Sequence, residues 1–184
     1  MTPTPVQACA VPADSAIARL LPGAFFHDAW QVAVDHPERT AIEHLMTTLA
    51  ATPRWVDVAM RLRNRVVVCF GLKNLGDLGL RPTHGQQPLS QHPGDRVGIF
   101  TLRSRSDDEV LVEDDDKHLH VVLSVRRLPA DATQPARIVL TTVVHLHNLL
   151  GRLYMLPVAP MHRLIAPAVL ARVNAPPPGH QARH

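Results

Sequence analysis

The sequence predicts an α+β domain: one strand, two short helices, a meander of antiparallel strands and a long apolar C-terminal helix. Three observations carry that reading. "VGIFTLRSRS", "EVLVED", "KHLHVVLSVRR" and "ARIVLTTVVHLHN" are β-branched runs separated by the turn-like "DD", "DDD" and "LPADATQP", the pattern of strands joined by tight turns. "TAIEHLMTTLAATPRW" begins with Thr40 followed three residues later by Glu43, a capping box in which each residue satisfies a free N–H of the first helical turn. The stretch from Leu149 to Val173 comes directly after the last strand and is apolar and rich in helix formers.

The first strand is read in "AFFHDAWQVAVD", where Phe26, Trp30, Val32 and Val34 fall on one face and His27, Gln31 and Asp35 on the other. The helix opened by Thr40 carries Ile42, Leu45, Met46 and Leu49 as its stripe and stops near Thr52, because Pro53 disfavours helical geometry before it. A second helix, capped by Thr52, runs through Trp55, Val58, Ala59, Leu62, Val66 and Cys69 to a stop at Gly71. Asn74 to Arg96 reads as a loop on its glycines and prolines. Pro157, Pro160 and Pro167 interrupt the terminal helix, each removing an N–H bond, so the helix is expected to be kinked or to begin near Pro160.

The chain has 184 residues, of which 46% are hydrophobic and 19% charged, enough apolar surface to offset chain entropy in one domain. Residues 1–22 and 174–184 are rich in Pro and Ala without period and read as disordered tails around a single domain over 23–173. Cys9 and Cys69 cannot form a disulfide framework, and no secretory signal opens the chain; a cytoplasmic location is expected. Arg152, His162, Arg163 and Arg172 interrupt the most apolar region, so no membrane span is expected. The net charge is +3. Seven acids lie between Asp107 and Asp116, leaving +10 for the rest of the chain. The arginines are scattered and only seven residues are aromatic, which argues against nucleic acid.

Four histidines fall on two neighbouring strands. Matching the apolar sets pairs Leu119 with Leu146 and Val121 with Val144, because a slip of one residue would turn one set to water. His118 then lies opposite His147 and His120 opposite His145. An H-x-H on a strand can present two nitrogens to a metal. The plainer reading is a polar face turned away from the helices, since no Cys or carboxylate completes a recognisable ligand set, and no metal or cofactor is predicted. The acidic window lacks the glycine of a calcium loop and reads as two acidic turns.

The nucleophile elbow, P-loop, dinucleotide fingerprint, C-x-x-C and H-E-x-x-H motifs are all absent. His147 and His162 remain as candidate acids or bases, since imidazole titrates near working pH. Asn148, Tyr154, Arg163, Arg63 and Asn64 are candidate ligand contacts. For Asn148 the simpler reading is a helix cap, and for Arg163, Arg63 and Asn64 a solvated helix face.

"LRNRVVVCFGL", "SRSDDEVLVEDDDKHLH" and above all "TTVVHLHNLLGRLYMLPVAPMHRLIAPAVL" resemble the bacterial family known as domain of unknown function 2867, over roughly Leu21 to Val173. The most specific pieces are His147-Asn148, Gly151-Arg152, Tyr154, Pro160 and His162-Arg163; His118 fits the family-like "DDKHL", whereas His120 and His145 do not carry over. The family is similar to the helix-grip folds (Bet v 1-like, START-like, SRPBCC), in which a curved antiparallel sheet wraps a long C-terminal helix around an apolar cavity. The resemblance implies a fold rather than an activity. The element order derived from the residues agrees with it.

The leading functional expectation is a cavity between sheet and terminal helix that holds a small apolar or amphipathic molecule, with Tyr154 and His162 as polar contacts. An enzyme of the cyclase, dehydratase or hydrolase kind, using His147 or His162, is the alternative from another class. A non-catalytic interaction domain, dimeric through a sheet edge, is the third.

Overall fold

A computed structural model describes residues 5–60 and 92–175. In chain order its elements are β1 (Gln7–Ala8), a 3-10 helix (Ala16–Leu20), β2 (Phe26–Ala33), α1 (Ala41–Ala50), α2 (residues 54–60), β3 (Arg96–Val97), β4 (Phe100–Arg105), β5 (Glu109–Asp115), β6 (Leu119–Leu128), β7 (Arg137–Leu146) and α3 (Leu149–Leu170). The expected continuation of α2 to Gly71, the candidates Arg63 and Asn64, and most of the expected loop before Arg96 lie outside the described residues.

The seven strands form one antiparallel sheet in the order β1-β2-β7-β6-β5-β4-β3. The first long strand therefore pairs with the last, Phe26 opposite Val144 through Ala33 opposite Arg137. In β6 and β7 the register is the expected one: Leu119 faces Leu146, Val121 faces Val144 and His120 faces His145. One parity of the sheet, including Val32, Val110, Val112, Val125, Ile138 and Leu140, packs against Ile42, Leu45 and Leu49 of α1 and Ala166 and Leu170 of α3 in a single core. The apolar sets share the helix-covered face, as the patterning requires.

The reading of residues 1–22 as a disordered tail is corrected by what residues 5–22 do. β1 pairs with β2, and Ile17, fully buried, joins Leu111, Val122 and Val143 in a second cluster on the opposite face of the sheet. The outer face is thus covered too, and its histidines do not simply look to water. At the other end Asn174, expected in a tail, accepts from Asp35 N at 3.0 Å and donates to Ala33 O at 3.0 Å.

The capping box at α1 is formed: the Thr40 N–H and hydroxyl both donate to Glu43 Oε2 at 2.8 Å. The Thr40 backbone bond is the main reason the Glu43 carboxyl sits below its ordinary pKa. α3 begins at Leu149 rather than near Pro160, because Asn148 caps it, its Oδ1 accepting from Gly151 N at 3.1 Å. The helix continues through all three prolines. Each proline leaves one carbonyl without its usual donor, those of Leu153, Leu156 and Arg163, and all three residues are exposed, so water can take the vacant acceptors. Gly151 sits where α3 crosses the turn before β6; a Cβ there would overlap the carbonyl oxygen of His118, so no side chain fits at this position.

By length and composition alone, Leu149–Leu170 could cross a membrane. Here it lies along the sheet through Met155, Ala166 and Leu170, while Leu149, Leu153, Leu156, Met161 and Leu164 are exposed on its far side.

Candidate functional site

Strand parity puts one charged residue among the apolar side chains of β2. Asp28 shares the inner face with Phe26, Trp30 and Val32, and its register partner on β7 is Thr142. α3 closes over this point and brings His162 to it. His162 Nε2 shares a hydrogen bond of 2.9 Å with Thr142 Oγ1 and lies 3.4 Å from Asp28 Oδ1. The Asp28 side chain is only 12% exposed.

Neither Asp28 oxygen nor Trp30 Nε1 makes a hydrogen bond of ordinary geometry, although all three atoms are buried. Burial pushes the Asp28 pKa up, but the nearby His162 ring, with the Trp30 and Thr142 donors at longer range, outweighs it and holds the carboxyl below its ordinary value. The site is therefore an ionised, acceptor-only carboxylate beside an indole N–H donor and an imidazole, in a wall otherwise built from Phe26, Leu119, Val144 and Met155. Buried polar groups nearly always have close partners; here the carboxylate is held by His162 at 3.4 Å and by the Trp30 and Thr142 donors at longer range.

Phe26 locks the helix over the site. The His162 ring meets it edge-on at 5.7 Å and 89°, and the Arg163 guanidinium stands 5.6 Å from its centroid, within cation–π range. Arg163 is thus an exposed side chain resting on an aromatic ring. Tyr154 is half-buried against the same apolar cluster. Asn148 is the helix cap, and its amide also donates to Lys117 O at 2.8 Å.

The two catalytic candidates are not brought together. His147 follows the outer parity of β7, and its Nε2 bonds Asp115 Oδ1 at 2.9 Å in an exposed pair. With Leu146, Asn148, Leu149 and Arg152 it lines a shallow open depression. The other histidines of the two strands also have separate partners. His120 Nε2 bonds Glu113 at 2.9 Å, His145 Nε2 bonds Leu20 O at 2.9 Å, and His118 Nδ1 meets the Asn148 amide. Among the described residues no group of three or more His, Cys, Asp or Glu side chains is arranged to hold a metal ion.

Sequence reading finds His162 but passes over Asp28, Trp30 and Thr142 as functional residues. The available signal is an acid at the parity of Phe26, Trp30, Val32 and Val34, a position where a charge is costly unless something uses it.

No curated protein and no solved structure matches the chain. Residues 20–169 match the family described as "Protein of unknown function (DUF2867)". That match takes in β2, every strand of the meander and nearly all of α3, and with them Asp28, Thr142 and His162; the chain belongs to this family.

Proposed function

We propose that the domain is of the helix-grip type and holds a small amphipathic molecule between the inner face of the sheet and α3. The topology supports the first part: two helices follow the first long strand, the meander returns to pair with that strand, and a long helix packs on the result. The observation that carries the second is the buried Asp28 carboxylate beneath α3, neither oxygen of which makes a hydrogen bond of ordinary geometry, with His162 and Trp30 at longer range. An ionised carboxylate accepts from a donor. The ligand chemistry is therefore an apolar body carrying a hydroxyl or amine.

Native mass spectrometry of the chain purified without an affinity tag tests this reading. A retained molecule in the wild type, lost in Asp28→Asn, is the expected result; wild type and variant carrying the same molecule, or neither carrying one after exposure to a cell extract, overturns it.

A second reading, an enzyme of the cyclase, dehydratase or hydrolase kind, is favoured by the carboxylate–imidazole contact. His162 Nε2 is taken up by Thr142 and Asp28, which leaves Nδ1 as the nitrogen to exchange a proton with a bound molecule. Turnover lost in His162→Gln with the molecule still retained would select this reading over simple binding.

A further inference from the structure

The outward side of α3 does not look like the solvent face of an ordinary helix. Leu149, Leu153, Leu156, Met161 and Leu164 are 79%, 57%, 65%, 42% and 62% exposed, and helical spacing lines them up with Pro157 and Pro160 in one stripe about four turns long. Phe25, 45% exposed, extends the stripe at the start of β2. One edge carries Arg152, whose guanidinium stands 5.9 Å from the Phe25 ring centroid, and Arg163, held over Phe26. The sequence has no Asp or Glu after Asp131, so every residue of the helix and of the segment beyond it is basic or neutral.

We infer that this face docks on an anionic lipid surface, α3 lying in the plane of the interface with its leucines among the acyl chains and Arg152 and Arg163 at the phosphates. An apolar helix face edged by arginines and free of carboxylates has the charge complement of such a surface. It is poorly suited to a second copy of the chain. Antiparallel pairing through the stripe would set Arg152 of each copy near Arg163 of the other, with no acid on either helix to separate them. The helix does not span the bilayer in this arrangement, because its other side, with Met155, Ala166 and Leu170, stays on the sheet.

Co-flotation of the whole chain with vesicles tests the inference, using phosphatidylcholine alone and phosphatidylcholine containing about 30% phosphatidylglycerol. Binding to the anionic vesicles only, reduced in about 0.5 M salt, is the expected result. Leu153→Glu with Leu156→Glu should weaken it by more than about tenfold, and each of Arg152→Gln and Arg163→Gln by about fivefold. Since all four side chains are exposed, the variants should stay folded: the leucine variant should melt as the wild type, and Arg152→Gln and Arg163→Gln only slightly below it for loss of the cation–π contacts. Absence of flotation with the anionic vesicles overturns the inference. So does a wild type that sediments as a dimer, ignores vesicles and becomes monomeric in the leucine variant, the result for a second copy. A monomer whose stripe leucines are shielded from carbene labelling, and which does not float, would assign the face to residues 61–91 of the same chain.

Discussion

The two faces of the sheet handle buried charge in opposite ways. On the outer face Glu109, 8% exposed, is fully used: Oε2 accepts from Ala16 N at 2.8 Å and from Arg126 Nη1 at 3.3 Å, and Oε1 accepts from Ser124 Oγ at 2.7 Å. Arg126 reaches on to Asp14 O at 3.0 Å. This clasp pins the N-terminal segment across the sheet, 93 residues away in sequence from Glu109. On the inner face Asp28 is similarly enclosed but has no hydrogen bond of ordinary geometry. A carboxylate whose two oxygens are both hydrogen-bonded, as in Glu109, can be explained by stability alone. The Asp28 carboxylate is held only by longer contacts to His162, Trp30 and Thr142, which leaves its lone pairs open to a better donor.

The largest effect expected is from Gly151→Ala. Its Cβ would overlap His118 O, a backbone atom that cannot swing aside, so α3 must lift from the sheet at its first turn. A loss of about 3 kcal/mol or more is expected in urea denaturation, with the inner cover loosened and the outer clasp intact by hydrogen exchange. Protection lost equally on both faces would show that the two covers are not independent.

Glu109→Ala attacks the other side. It strands Ser124 Oγ and Ala16 N and leaves Arg126 only its contacts with Asp14; because the Arg126 side chain also retains 16% exposure the expected loss is about 2 kcal/mol, below the figure for a fully buried pair. Limited proteolysis should then cut within residues 10–22 while β2 and β7 stay protected. Asp28→Asn should cost less than Glu109→Ala. The depressed pKa means that the ionised carboxylate adds some stability at neutral pH, so a small loss, under about 1 kcal/mol, is expected, while the proposed ligand is lost. A destabilisation by Asp28→Asn comparable to that of Glu109→Ala would erase the contrast and make Asp28 a structural residue.

Which parts of the molecule are legible in the sequence depends on which forces have a period. The register of β6 on β7 is readable because Leu119, Val121, Val144 and Leu146 would be exposed by any odd slip. Asn148 is readable as a cap from its place before an apolar run. The N-terminal clasp is not readable: Ile17 is the one fully buried side chain of its 3-10 helix, Val11, Leu20 and Leu21 pack around it without a period, and its polar anchors reach residues about a hundred positions away. Asp28 is visible only as an exception to a parity, and counting apolar residues passes over exceptions. α3 misleads in another way. An all-round apolar helix reads as wholly enclosed, yet only one side meets the sheet, and nothing local in the sequence says which side or whether the other is covered.

The smallest effect separates two buried groups by pH. His44 on α1 is 1% exposed, and burial first, then the charge of Arg39, pushes its pKa down. Its folded form is neutral where the unfolded chain already takes a proton, so in that interval the unfolded state holds more protons and stability rises with pH. The stability is fully present above the ordinary histidine pKa of about 6.5 and is lost as pH falls from there toward the lowered folded value. Asp28 has the same sign in a lower window, its contribution being complete above the ordinary carboxyl value of 3.8 and lost as pH falls through its depressed folded value. Thermal melts from pH 7.5 to 3 should therefore show two separate declines, the first no steeper than about 1.4 kcal/mol per pH unit for one proton. His44→Gln should flatten the first decline and leave the second, and Asp28→Asn should leave the first and reduce the second, which Glu43, Glu113 and Asp131, also depressed, continue to supply. If Asp28→Asn left the lower decline unchanged, the contacts of Asp28 with His162, Trp30 and Thr142 would not be what keeps that carboxyl ionised, and the inner face would lose the feature that distinguishes it from the outer one.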